Sequence, residues 1–154
     1  MMRVFVDVNV PMYAAGVDHP YKDACIWVMS ELVMDRWQGE TDTESLQEIL
    51  HRYGARGRTD IGLQVVAHMR AVVDHIHPIG DHTMRLTERN FARFTPGGMQ
   101  ARDCIHLAVM QEQGISQIIT ADRHFDNLPG ITRLDPLALY RDAGSPDISA
   151  LLER

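Results

Sequence analysis

The chain has only two cysteines, Cys25 and Cys104, and only one lysine, Lys22. Two thiols set 79 positions apart (104 − 25) suggest neither a disulfide framework nor a cysteine zinc cluster, so a cytoplasmic protein with both thiols reduced is expected. Long apolar runs are also missing. The longest, Ala24 to Met34, is interrupted by Ser30 and Glu31 and is too short to span a bilayer, so no membrane span is expected. The N-terminus lacks the basic start, apolar core and small-residue cleavage site of a secretory signal. No repeat, low-complexity tract or linker breaks the sequence. Positive charge is in deficit, with 15 Lys and Arg against 21 Asp and Glu and a formal net charge of -6. That balance argues against a broadly basic nucleic-acid surface but does not describe every face. Because all cations but Lys22 are arginine, basic contacts are made by planar forks suited to phosphate and carboxylate, although a compositional bias of the genome explains the same usage equally well.

At 154 residues, 45% hydrophobic and 23% charged, the chain is long enough for one ordinary domain with a sizeable core. That domain is expected over residues 1–142, with a C-terminal tail over 143–154. The organising stretch is Arg3-Val4-Phe5-Val6-Asp7-Val8-Asn9, a short apolar strand that ends in a carboxylate before a turn through Val10-Pro11. The same grammar recurs at Gln117-Ile118-Ile119-Thr120-Ala121-Asp122. Ligands of an open parallel sheet bind beyond the carboxyl ends of its strands, so both acids are expected to face one crevice.

Between these strands, Asp18-His19-Pro20 resembles a helix start. Trp37 to Asp42 is a weak strand candidate. Thr43 reads as the N-cap of a helix carrying Leu46, Ile49, Leu50 and Tyr53 at helical spacing, which ends near Gly54. After the basic break Gly54-Ala55-Arg56-Gly57-Arg58, the residues Ile61, Val65, Val66, Met69 and Val73 mark another helix. Asp74 to Ile79 is short enough for a strand, and Asp81 or Thr83 caps a helix to about Phe94. A broadly buried helix around Cys104 to Val109 ends at Gly114. Strands at Ile118–Thr120 and Ile131–Leu134 and a helical turn at Pro136–Tyr140 complete a parallel α/β pattern.

Set on this scaffold, Asp7 and Asp122 stand at strand ends, while Glu48 and Asp103 directly precede the apolar pairs Ile49-Leu50 and Cys104-Ile105. Two like charges about 4 Å apart repel by roughly 4 kcal/mol at an effective dielectric near 20, so such a cluster calls for a cation. Oxygen ligands suit Mg²⁺ or Mn²⁺. Any one of these acids alone is better explained as a solvated carboxylate or a helix cap. Their joint pattern is harder to dismiss.

The stretches Phe5-Val6-Asp7-Val8-Asn9-Val10, Leu46-Gln47-Glu48-Ile49-Leu50, Ala101-Arg102-Asp103-Cys104-Ile105-His106-Leu107-Ala108 and Ile119-Thr120-Ala121-Asp122-Arg123-His124-Phe125-Asp126 resemble, in order and spacing, the four acidic motifs of PIN-domain ribonucleases. The resemblance implies a three-layer sandwich with a central parallel sheet of four or five strands flanked by helices. It also implies a catalytic set of Asp7, Glu48, Asp103 and Asp122, with Asp126 joining them around Mg²⁺ or Mn²⁺ and with Asn9 and Thr120 in support. Glu48 is preferred to Glu44, one turn earlier, because Leu46 and Ile49-Leu50 carry its packing face. Arg102, His106 and Arg123 are candidate substrate contacts.

The domain size is similar to the toxin of bacterial VapBC-type toxin–antitoxin pairs. The resemblance therefore implies an endoribonuclease that leaves 5′-phosphate and 3′-hydroxyl ends, an RNA substrate, a cognate antitoxin and a homodimer. The alternative is a non-catalytic nucleic-acid or protein-binding module of the same fold, against which retention of all the acids speaks. A haloacid-dehalogenase-type phosphatase needs an acid where Asn9 stands, and a response-regulator receiver needs a late-strand lysine. His75 and His77 are expected to be solvated strand histidines. The stripe Arg85, Arg89 and Arg93 suits RNA phosphates or an acidic antitoxin segment, though a solvated helix face is favoured.

Overall fold

A computed structural model describes residues 1–152. Five strands, β1 (Arg3–Val6), β2 (Gln38–Asp42), β3 (His75–His77), β4 (Gln117–Ile119) and β5 (Thr132–Leu134), form one parallel sheet in the order β3-β2-β1-β4-β5. Helices α1 (Asn9–Ala15), α2 (Lys22–Val33), α3 (Thr43–Ala55), α4 (Thr59–Val72), α5 (Asp81–Phe94), α6 (Ala101–Gln113), α7 (Pro136–Asp142) and α8 (Ser149–Leu152) flank it. The expected α/β sandwich is the fold observed. No described helix is long and apolar enough to cross a membrane.

Alternation along the strands builds two cores. Val4, Val6 and Ile119 pack with Cys25, Trp27, Val28, Leu32 and Met69 on one face, while Phe5 and Ile118 pack with Cys104, Leu107, Met110 and Phe125 on the other. A strand covered on both faces reads as a continuous apolar run, which is what made β1 visible in the sequence. The two free cysteines lie in different cores. Burial pushes the Cys25 thiol up to about 12.

Several local expectations are corrected. The chain does not merely turn at Val10-Pro11; it enters α1, with Pro11 in the first turn, where its missing N–H is not needed. The second helix starts at Lys22 rather than near Pro20, because the His19 imidazole accepts the Tyr21 N–H and the His19 carbonyl accepts that of Lys22. Asp42, not Thr43, caps α3. Its backbone is extended and its carboxylate accepts the Ser45 N–H at 2.9 Å. On α3, Leu46, Ile49 and Tyr53 are buried, but Leu50 is 44% exposed. Gly80 is the N-cap of α5, and its N–H donates to the Thr83 hydroxyl.

The weak strand at residues 37–42 is β2. Its glycine has a packing reason, since a Cβ on Gly39 would stand 2.9 Å from Leu32 Cδ2. Its buried Glu40 is held by Arg3 from β1 at 2.6 Å and by His77 from β3 at 2.8 Å. Those two partners hold the Glu40 carboxyl below its usual range against the opposing cost of burial. His77 is therefore a hydrogen-bond partner of buried Glu40 rather than a solvated histidine. The tail expected over residues 143–154 docks through Ile148, which is buried in the first core, while residues 153–154 lie outside the described residues.

Candidate active site

The chain runs outward from β1 to β2 and β3, then returns across β1 to lay down β4 and β5, so strand order reverses between β1 and β4. A crevice opens at such a reversal, beyond the strand ends. Asp7 directly follows β1, and Asp122 lies three residues past β4. Glu48 projects from α3, and Asp103 sits in the first turn of α6. All four line one cleft of about 200 Å³, and Asn9, Arg52, Arg102 and His124 line it too.

Asp7, 3% exposed, is fixed from several sides. The Val8 N–H donates to its Oδ1 at 2.7 Å, and Thr120 Oγ1 donates to its Oδ2 at 2.7 Å. Asn9 Nδ2 donates to Asp7 Oδ2 at 3.2 Å and to Thr120 Oγ1 at 2.9 Å, while its amide oxygen accepts the Ala121 N–H. The Asp122 N–H donates to Thr120 Oγ1 at 3.0 Å. Asn9 and Thr120 thus tie the ends of β1 and β4 together and set the first and fourth acids in one frame. Burial raises the Asp7 carboxyl above its usual range.

Glu48, 3% exposed, receives two guanidinium groups on Oε1, from Arg102 and from Arg52 at 2.7 Å. Its Oε2 is buried without a hydrogen-bond partner. Sequence reading missed Arg52, although an arginine four residues after an acid on a helix is a recognisable pair. Glu44 is only half-buried, and burial followed by the Asp42 and Glu48 charges raises its carboxyl, with His106 and Arg102 opposing.

Asp103 is 7% exposed, and its carboxyl is raised to about 7, by burial first and then by the charges of Asp7, Asp122 and Glu48, against the opposing pull of His106. His106 itself departs from the expected role. It is fully buried, so it does not reach out to RNA phosphate. Its Nδ1 lies 2.7 Å from Asp42 Oδ2, and its Nε2 lies 4.0 Å from Asp7 Oδ1 with no hydrogen-bond partner. Burial pulls the imidazole down, but the charge and hydrogen bond of Asp42 and the charges of Asp7 and Asp103 win and raise it to about 10. Asp42, the cap of α3, was missed as a site residue because its partner lies 64 positions away.

Past Asp122, the chain turns through a short 3-10 segment, Arg123–Phe125. His124 Nδ1 lies 3.0 Å from Asp122 Oδ1. One ligand atom each from Asp103, Asp122 and His124 falls within 4.8 Å of the others. Gly98, at φ +110°, leaves room for this ring, since a Cβ there would stand 3.3 Å from His124 Nε2. His124 lies within the fourth motif, two residues after its acid, where nothing in the local sequence marks it as a ligand. Asp126, expected with the metal ligands, does not line the cleft; its carboxylate accepts from Arg133 Nε at 2.7 Å, which holds its pKa below the usual range. Arg123 is exposed on the same turn.

These features fit a hard divalent cation. Four carboxylates meet with two of them raised by burial, one buried Glu48 oxygen lacks a partner, and three potential ligand atoms are clustered. An ion would relieve the mutual repulsion and use the free oxygen.

No protein-family model matches the chain. Among curated proteins, it is 34% identical to ribonuclease VapC13 of Mycobacterium tuberculosis over 131 residues, covering 85% of this chain and 98% of that protein. It is 32% identical to ribonuclease VapC23 of the same organism over 123 residues, covering 77% of this chain and 92% of that one. Among solved structures, VapBC from Salmonella typhimurium bound to DNA aligns with a TM-score of 0.67 at 14% identity, over 88% of this chain and 99% of that one. VapC20 of Mycobacterium tuberculosis, a sarcin-ricin loop cleaving toxin, aligns with a TM-score of 0.62 at 15% identity, over 75% of this chain and 86% of that one. The distant structures share the fold, and the closer sequence relatives, matched along nearly their whole length, show that the chain belongs to the VapC ribonucleases, the PIN-domain toxins of VapBC pairs.

Proposed function

We propose that the cleft is the active site of a Mg²⁺- or Mn²⁺-dependent endoribonuclease in which Asp7, Glu48, Asp103 and Asp122 hold the metal. The observation that carries this reading is the convergence of four carboxylates, from four separated stretches, on one cleft at the strand-order reversal. When bound, the ion supplies Lewis-acid polarisation of the scissile phosphate and lowers the pKa of water. The chain's own residues do the rest. Thr120, Asn9 and the Val8 N–H fix the Asp7 carboxylate, so little reorganisation is needed on binding. Arg52 and Arg102 offset the Glu48 charge and stand at the cleft, where their guanidinium groups can take phosphate oxygens. His124 adds an imidazole to Asp103 and Asp122, a donor set that favours Mn²⁺ over Mg²⁺. Asp126 is left outside this set as the partner of Arg133.

Cleavage of total RNA is expected to require Mn²⁺ or Mg²⁺, to stop in EDTA, and to leave 5′-phosphate ends. Mn²⁺ at about a hundredfold above its Kd is expected to stabilise the protein by about 2.7 kcal/mol. Undiminished cutting in chelator, or a melting temperature indifferent to Mn²⁺, would remove the metal mechanism.

The partner reading is a cognate antitoxin that silences the enzyme by setting a basic side chain among the acids, on a toxin that forms a homodimer. The antitoxin is supported by structural neighbours that were solved as VapBC assemblies, while the homodimer rests on the family resemblance alone. Expression of the toxin alone is expected to arrest growth, co-expression of the adjacent small gene to relieve the arrest, and the two products to co-purify. Failure of relief and of co-purification would count against the partner, and a monomeric mass in solution would count against the dimer.

A further inference from the structure

A second and larger cleft, of about 520 Å³, adjoins the acidic one and shares Asn9 and Arg52 with it. It lies between α1, the loop after α1, the end of α3 and the start of α4. Three arginines, Arg52, Arg56 and Arg58, line it, and no carboxylate does, although acids outnumber cations along the chain by 21 to 15. The Arg56 guanidinium lies 5.8 Å from the Tyr53 ring centre and makes no ion pair among the described residues. Arg58 has only a loose, exposed contact with Asp60 at 3.5 Å. Within the same lining, exposed His19 stacks on Tyr13, with centroids 4.4 Å apart and planes 25° apart.

We propose that this groove holds the RNA strand on one side of the scissile phosphate, with bases on the His19–Tyr13 stack and phosphates on Arg56 and Arg58. This rests on the nuclease reading. The acidic pocket sets four carboxylates against two arginines that are already paired with Glu48, so apart from a bound cation it offers a polyanion little net attraction, and most of the affinity for the strand has to come from its flanks. A strand whose phosphate sits at Asp7 and Glu48 must leave through an adjoining opening, and this one is joined to the pocket by Arg52 itself. Arginine forks in one groove with an exposed ring, here that of His19, are the groups that bind single strands with little sequence preference. The cleft volume is in the range of pockets that hold a small organic ligand such as a nucleotide.

The test uses the full chain, a fluorescent mixed-sequence single-stranded oligoribonucleotide, Ca²⁺ for equilibrium binding and Mn²⁺ for cleavage. The double variant Arg56→Ala/Arg58→Ala is expected to raise Kd and KM roughly tenfold and to flatten the log–log salt dependence of binding by about 1.4, the loss of two single-strand phosphate contacts. Its gain in melting temperature with Mn²⁺ should equal the wild type's, which separates a groove defect from a damaged metal site. Removing the same charge from α5, by Arg89→Ala/Arg93→Ala, should change nothing. His19→Ala should weaken binding several-fold and His19→Phe should restore it, because a stacking role needs only a π-face. Wild-type affinity and salt slope in the arginine pair overturn the proposal. Should that pair lose antitoxin co-purification while binding RNA normally, the groove belongs to a protein partner instead. A wild type that binds the oligonucleotide in this arginine-dependent way but never cuts it in Mn²⁺ sinks the nuclease reading and leaves the groove standing.

Discussion

Asp103→Asn is expected to abolish RNA cleavage and, in the absence of metal at pH 8, to leave the protein more stable than the wild type. The folded-state carboxyl, raised to about 7, holds its proton after the unfolded chain has lost its own near 3.8. Between those values the native state binds more protons, so this group makes stability fall as pH rises from about 4 to 7, and the deficit persists above. A shift of that size corresponds to on the order of 4 kcal/mol, and partial relaxation of the cluster makes a gain of several degrees in melting temperature the expected result. If Asp103 merely compensated the α6 dipole, its removal would instead cost about 0.3–1 kcal/mol and spare catalysis. Metal gives an independent readout. Mn²⁺ should stabilise the wild type, with an affinity that strengthens as pH rises through 7 and the Asp103 proton leaves, and should stabilise the variant much less. A variant that still cuts RNA, or that gains as much from Mn²⁺ as the wild type, would falsify the assignment.

Three of the four acids were legible because each marks the boundary of an element the sequence announces. Asp7 and Asp122 follow β-branched runs, and Asp103 opens a helix with a broad apolar side. Glu48 was legible from Leu46 and Ile49, even though Leu50 faces solvent. What escaped was whatever depends on a distant partner. Asp42 looks like the polar end of a poor strand, and nothing local shows that it holds a buried histidine on α6. Glu40, in the middle of that strand, is buried only because Arg3 and His77 flank it from the neighbouring strands. The α5–α6 contact escaped apolar patterning for a related reason. The buried residues of α5 are Thr83, Thr87 and Asn90, and Asn90 is satisfied by the Cys104 carbonyl and Gln111 across the helix pair. Hydrophobic periodicity is blind to a face built from hydrogen bonds.

The largest stability effect is expected at His106. His106→Leu fits the apolar surroundings, which include Phe5 with its ring centre 5.2 Å from that of the imidazole, yet it leaves Asp42 fully buried without its cationic partner. Breaking a buried pair from one side costs about 3–5 kcal/mol, which for a chain of this size lowers the melting temperature by roughly 10 °C. The double variant Asp42→Asn/His106→Leu removes the stranded charge and should recover part of that loss, so the double-mutant cycle should show strong coupling. The pH dependence carries its own sign. With the imidazole raised to about 10 in the metal-free fold, its stabilisation is fully present below the unfolded value of 6.5 and is lost as pH rises toward 10. The wild type should therefore lose stability across that window, and His106→Leu should show a flatter profile. Nitrogen chemical shifts of the ring should report a doubly protonated imidazole at pH 8 without metal. A His106→Leu protein that melts within two or so degrees of the wild type, or that keeps the wild-type decline from pH 6.5 to 10, would show that the Asp42–His106 pair does not hold α3 and α6 together.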